Sequence, residues 1–279
     1  MRITSVNVNG IRAAMRKGMG EWITQRQPDV ILMQETRAEP EIVAALLPEW
    51  QVVTAASRIK GRAGVAAATR VEPLAVRHGL PGESADVDSG RWLEVDLPSA
   101  GDGGAPLTLV TAYLHSGTAG TPTMDLKYAH LDLVEARLRA LAGDVMAARR
   151  EVLVVGDFNV VRGPADIKNF KGNHNRTAGV LDQEMAYLDR WFTGAWRDVH
   201  RELVPAAEDG TPGPYTWWSN RGKAFDNDAG WRIDYHMASP RLAGVASGAV
   251  VDRAPSWDTR WSDHAPLTVD YDLAALSAL

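Results

Sequence analysis

Short apolar runs, each closing on an amide or a carboxylate, recur along the chain. Leu153-Val154-Val155-Gly156 is strand-length and rich in β-branched residues, as in a strand buried on both faces. It ends in Asp157-Phe158-Asn159, and a Gly163-Pro164 turn follows. Val30-Ile31-Leu32-Met33 repeats the form and ends in Gln34-Glu35. Ile3 to Val8 opens the chain the same way and leads into Asn9-Gly10. Further strands are predicted at 51–55, 64–69, 73–77, Leu107 to His115, Arg232 to Ala238 and Leu267 to Tyr271. Arg91 to Leu97 alternates cleanly and reads as a half-exposed strand. Helical spacing covers 13–27, stopping before Gln27-Pro28, and 182–192. The longest helix is predicted from Thr123 to about Arg149, with a stripe of Val134, Leu138, Leu141 and Val145.

Strand–helix–strand alternation makes this an α/β chain. No repeat, low-complexity tract or linker divides it, so 1–279 reads as one domain. After Asn159 the periodicity lapses for about twenty residues, through Asp166-Ile167-Lys168-Asn169 to Asn175-Arg176. A long irregular stretch inside a compact domain is often functional. Arg58 to Gly64 is basic and glycine-rich, an expected exposed loop.

Composition narrows the chemistry. There is no cysteine, which excludes disulfides and thiolate metal sites. With 45% hydrophobic and 23% charged residues the chain is ordinary for a globular enzyme. No apolar run approaches a membrane span, and the first residues enter a strand directly, so a cytoplasmic protein is expected. The net charge of −5 argues against an overall positive coat but leaves room for a local basic track. Ten tryptophans stand against four phenylalanines. Trp218, Trp257 and Trp261 are expected in the core.

The polar residues at strand ends carry the chemistry. Asp157 and Asn159, two apart, suit a hard metal ion or a water that must be held and deprotonated. Asn7 and Glu35 lie near the ends of strands, Asp234 and Asp263-His264 near the starts. Both groups meet on one edge if the second set of strands runs antiparallel to the first, so mixed sheets are expected. Carboxylates gathered there need a cation, and oxygen ligands favour Mg²⁺ or Mn²⁺ over Zn²⁺. His264, with an aspartate to fix its tautomer, suits polarisation of an oxyanion.

Taken together, Asn7-Val8-Asn9-Gly10, Gln34-Glu35-Thr36, Tyr113, Gly156-Asp157-Phe158-Asn159, Trp231-Arg232-Ile233-Asp234 and Ser262-Asp263-His264-Ala265-Pro266 resemble, in order, the motif set of exonuclease III-type apurinic/apyrimidinic endonucleases. The resemblance runs over essentially the whole chain. It implies a deoxyribonuclease I-like four-layer sandwich: two facing mixed β-sheets flanked by helices. It also implies Mg²⁺-assisted cleavage 5′ to abasic sites in duplex DNA, leaving a 3′-hydroxyl, with 3′-to-5′ exonuclease and 3′-phosphatase activity on blocked ends. A monomer associated with the nucleoid through DNA is expected.

Carried over residue by residue, Glu35 is the principal metal ligand with Asn7 close by. Asp157, helped by Asn159, orients and deprotonates water. Asp234 supports His264 at the phosphate, Tyr113 sits beside it, and Asp263 joins the metal side. Arg91, Lys127, Lys171 and Arg176 are the candidates for the DNA backbone. Trp217 and Trp231 are the candidates for a pocket that takes the base-less sugar. Where relatives read Tyr-x-Pro-Gln-Gly or Tyr-x-Pro-Ser-Gly, this chain has Tyr113-Leu114-His115-Ser116-Gly117. Two rivals stand beside this reading: a lipid or inositol-phosphate phosphodiesterase of the same fold, and a non-catalytic DNA-binding protein.

Overall fold

A computed structural model describes residues 1–84, 89–98 and 106–278. The strands are β1 (Arg2–Asn7), β2 (Val30–Gln34), β3 (Gln51–Ala55), β4 (Val65–Thr69), β5 (Ala75–His78), β6 (Trp92–Leu97), β7 (Leu107–Tyr113), β8 (Glu151–Asp157), β9 (Arg197–Asp198), β10 (Asp234–Ala238), β11 (Ala246–Val251) and β12 (Leu267–Tyr271). They form two six-stranded sheets, ordered β11-β12-β1-β2-β4-β3 and β5-β6-β7-β8-β10-β9. Each is mixed: β1 pairs parallel with β2 and antiparallel with β12, and β8 pairs parallel with β7 and antiparallel with β10.

The sheets face each other across a core that includes Ile3, Leu32, Leu109, Leu153 and Val269. Outside the first sheet, the helical segment from Ile11 to Arg26 and the helix Pro40–Leu46 cover Val6, Ile31 and Met33. Outside the second, the helices Thr123–Met146 and Asp182–Thr193 cover Val110, Val152 and Val154. This is the four-layer sandwich that the resemblance implied. Among the described residues no helix is long and apolar enough to cross a membrane.

β6 and β11 depart from the sequence pattern. β6 is buried along its whole length, although its alternation reads as half-exposed. Its polar face is covered by cations rather than by water. Glu94 is held by Arg77 and Arg137, and Asp96 by Arg77 and Arg150. Arg137 arrives on the long helix, and no local pattern in β6 announces it. β11 is an edge strand, half-buried to exposed along its length and built mostly of small residues, and it carried too little apolar signal to be predicted.

Gly156 is required where β8 passes β7. Its φ of 141° is open only to glycine, and a Cβ there would lie 1.9 Å from the Ala112 carbonyl oxygen. The residue next to it is Asp157.

Candidate active site

Strand direction assembles the site. β1 and β2 run parallel, so Asn7 and Glu35 leave the first sheet at one edge. β7 and β8 do the same in the second sheet, and the register sets Tyr113 beside Asp157. β10 returns antiparallel, which pairs its first residue, Asp234, directly with Asp157. β12 runs antiparallel to β1 and brings Ser262-Asp263-His264, just ahead of its start, to the same edge. A local signal at a strand end says nothing about which strands are neighbours; the mixed topology supplies that.

The side chains join the two sheets. Asn7 Nδ2 donates to Glu35 Oε1 at 2.8 Å and to Asp157 Oδ2 at 2.9 Å. The Asn159 backbone N–H donates to Asp157 Oδ1 at 2.9 Å. His264 Nδ1 lies 2.9 Å from Asp234 Oδ2, and its Nε2 lies 3.7 Å from Asp157 Oδ2. Asn9 and the Trp217 indole N–H donate to the two oxygens of Asp263. Ser262 Oγ donates to the Asn7 carbonyl and ties the His264 loop to β1. Potential ligand atoms of Asp157, Asp234 and His264 all lie within 4.8 Å of one another, a group that could hold a metal ion.

Burial sets the electrostatics. It pushes the Asp157 carboxyl well above the ordinary carboxylate range; His264 opposes the shift and the Asp234 charge adds to it. Burial works against charge on His264, but Asp234 and Asp157 outweigh it and raise the imidazole, so His264 is an imidazolium at neutral pH. Burial alone would also raise Glu35, but the Asn7 hydrogen bond and the Arg37 guanidinium hold it below its usual value. Burial, then the charges of Glu35 and Asp157, push the Tyr113 phenol up, so it is a neutral donor, and it hydrogen-bonds Glu35.

These groups open into a cleft of about 500 Å³. Glu35, Tyr113, Asp157, Asn159, Asp263 and His264 line its floor side, and Arg176, Trp217 and Trp231 stand among its walls. The two indoles meet edge to face, 5.6 Å apart. Trp231 needs Gly179 beside it: at φ 88° a Cβ would fall 3.1 Å from the indole and 2.8 Å from the Asn159 carbonyl oxygen.

The basic candidates divide. Arg176 is exposed and lines the cleft, whereas Lys171 is exposed outside its lining. Lys127 is completely buried, so the expectation that it contacts the DNA backbone is corrected: its ammonium faces Glu184 and two carbonyls inside the protein. Arg91 is more buried than a backbone contact would suggest. It is 9% exposed and its guanidinium lies over the Tyr113 ring, 4.7 Å from the centroid, rather than on the surface. In both residues, a partner from a distant element receives the charge, which local sequence cannot reveal.

Asn159 lies beyond the extended strand that carries Asp157. β8 ends at Asp157, Asn159 turns with φ 52°, and its Nδ2 donates to the Leu114 carbonyl. Trp218 is core at 2% exposure and Trp261 is half-buried. Trp257, expected in the core, is 52% exposed and packs beside Arg260.

Sequence reasoning missed Arg37 and the hold of Asn9 on Asp263. Arg37 forms an ion pair with Glu35 and lines the cleft. Its proximity to Glu35 in the chain was the available signal.

Residues 4–264 match the Endonuclease/Exonuclease/phosphatase family. The exodeoxyribonuclease of Bacillus subtilis is 31% identical over 268 residues, which are 96% of this chain and 98% of the relative. The DNA repair nuclease APEX1 of Danio rerio is 32% identical over 276 residues, 96% of this chain and 81% of the relative. The solved structure of an AP endonuclease from Archaeoglobus fulgidus superposes with a TM-score of 0.82 at 25% identity, covering 98% of this chain and 99% of the other. With most of its length matched in sequence and in fold, the chain belongs to the Endonuclease/Exonuclease/phosphatase family.

Proposed function

We propose that this DNA-repair nuclease cleaves duplex DNA on the 5′ side of abasic sites, in a Mg²⁺-dependent reaction, with 3′-to-5′ exonuclease and 3′-phosphatase activity on blocked ends. The observation that carries the reading is Asp157. It is a buried carboxylate raised toward neutrality, steered by Asn7 and the Asn159 N–H, and set beside an imidazolium in an open cleft. A carboxylate raised in this way is an effective base near neutral pH.

Asp157 takes a proton from water as the oxygen attacks phosphorus, the bond from phosphorus to O3′ breaks, and the departing O3′ takes a proton from solvent. The products are a 3′-hydroxyl and a 5′-phosphate. His264, held protonated by Asp234, faces charge building on the phosphate oxygens. Tyr113, whose hydroxyl donates to Glu35 and whose ring is backed by Arg91, stands beside the phosphate and holds Glu35 in place.

The residues present fit a hard divalent cation. Their donors are oxygens, and the carboxylates outnumber the cations facing them. Glu35 would hold it, with Asn7, Asp157, Asn159 and Asp263 near. When bound, the cation supplies positive charge for the phosphate and the leaving oxygen.

Trp217 and Trp231 wall a space suited to a bare sugar, where an intact base would meet rigid indoles. Arg176 is placed for a backbone phosphate, and the exposed Lys171 for a phosphate beyond the cleft. A monomer acting on the nucleoid in the cytoplasm is part of the same proposal. An end-labelled abasic duplex incubated with Mg²⁺, and then with EDTA, tests the proposal. Metal-dependent incision 5′ to the lesion, faster than degradation of undamaged duplex, is expected. Incision unaffected by EDTA would remove the metal, and turnover of inositol phosphates but not DNA would favour the rival phosphodiesterase.

A further inference from the structure

Lys127 lies in the first turns of the helix Thr123–Met146, and Glu184 in the first turn of the helix Asp182–Thr193. Their side chains are both 0% exposed, with Nζ and Oε1 2.5 Å apart. The ammonium also donates to the carbonyl of Ser116 at 3.1 Å and to that of Asn159 at 3.0 Å. The other oxygen of Glu184 accepts from the backbone N–H groups of Gly179, at 2.6 Å, and Leu181, at 3.1 Å.

Each of these backbone groups belongs to a different loop at the cleft. Ser116 follows β7, Asn159 follows β8, and Gly179 lies ahead of the second helix. Ser116, Asn159 and Ala178 line the cleft itself. A single buried ion pair therefore ties three walls of the site through their main chain.

A buried ion pair is a poor device for stability, since apolar residues of similar volume serve as well or better. Apolar residues cannot aim a peptide group. Asn159 sits at φ 52°, a conformation that side-chain-bearing residues rarely adopt, and its N–H holds Asp157 Oδ1. Lys127 grips the carbonyl of that same residue, and its second carbonyl contact sets the loop after Tyr113.

We propose that Lys127 and Glu184 are positioning residues, whose buried pair sets the orientation of Asp157 relative to the Ser116 and Gly179 loops. The inference rests on the reading of Asp157 as the base. It concerns kcat rather than DNA binding, because neither side chain reaches the surface.

The experiment compares wild type, Lys127→Met, and the double variant Lys127→Met/Glu184→Gln. For each, kcat on an abasic duplex, Kd for that duplex and the melting temperature are measured. The single variant leaves a lone buried carboxylate and melts lower. The double variant removes both charges, while the amide oxygen introduced at position 184 still accepts from the Gly179 N–H, so its melting temperature recovers. Misplacement of a catalytic group by about 1 Å costs ~100-fold in rate, so kcat in the double variant is expected to stay down by that factor. Its Kd should remain within about threefold of wild type, as no phosphate contact is lost. Recovery of kcat together with melting temperature would overturn the proposal and leave the pair purely structural. A wild type that cleaves no DNA would instead overturn the nuclease reading and, with it, this one.

Discussion

Two buried clusters in this protein share a formula and differ in outcome. In one, Asp157 and Asp234 face His264. In the other, Asp166 and Asp198 face Arg232, whose guanidinium is 2.7 Å from the first and 2.9 Å from the second. The second cluster is completed by Arg201 on Asp166 and Arg162 on Asp198. Three guanidiniums there meet two carboxylates, whereas one imidazolium meets two in the cleft. Burial would raise both Asp166 and Asp198, but the arginines outweigh it and hold them below the usual range. Asp157 is left raised. A saturated carboxylate anchors chain; an under-neutralised one remains basic enough to take a proton. The anchor also bears on the site, since it fixes the loop around Asp166 to the residue between Trp231 and Ile233.

The largest expected effect breaks the cleft cluster alone. Asp157→Asn keeps shape and hydrogen-bonding capacity but removes the base, so kcat should fall by about 10²–10⁴-fold. The melting temperature should hold or rise, because a buried like-charge contact with Asp234 is relieved. Steady-state kinetics and thermal melts check both halves, and near-normal turnover would remove Asp157 from the mechanism.

The mirror test breaks the anchor. Arg232→Met strands two buried carboxylates, which typically costs about 3–5 kcal/mol. Urea unfolding should show that loss, and activity should fall with the fraction folded. A stability unchanged from wild type would show that Arg201 and Arg162 suffice.

Acid sharpens the contrast. His200 lies among the anchor charges, and burial, aided by Arg232 and Arg201 against Asp198 and Asp166, lowers it from 6.5 to about 4. Burial lowers His130 and His236 to about 3. The unfolded chain then binds more protons than the folded one between those values and pH 6.5. The contribution of these three histidines is therefore full above pH 6.5 and falls as the pH drops, by about 1.4 kcal/mol per pH unit for each. Asp157, whose raised carboxyl takes its proton in the folded chain first, offsets one histidine's share over the same window. Urea midpoints from pH 7 to pH 5 measure the slope, and His200→Asn should flatten it by one histidine's share.

The smallest expected effect lies on the rim, away from both clusters. Binding should weaken with salt, and Arg176→Ala should flatten the log–log slope by ~0.9 if one phosphate contact is lost. Arg91→Ala should leave that slope alone, since Arg91 stacks behind Tyr113. A slope change at Arg91 and none at Arg176 would reverse the assignment.

How much of this was legible follows from the range of each interaction. The apolar runs before Asn7, Glu35 and Asp157 are local, and they specify strands and place polar residues at the ends. Six motifs in order identified the family, and the requirement that they converge predicted mixed sheets. The anchor cluster was not legible, because Asp166, Asp198 and Arg232 lie far apart in the chain and each looks like a surface charge alone.

The sequence by itself determined the strand ends, the oxygen-rich and cysteine-free donor set, and the small residues that let backbones approach, Gly156 above all. Tertiary structure decided which charges meet water. It drew Lys127 inside to Glu184, laid Arg91 on Tyr113, covered the polar face of β6 with arginines, and left Trp257 in solvent. Strand formation depends on neighbours a few residues away, whereas the burial of a charge depends on whether a partner arrives from a distant element to offset its lost hydration.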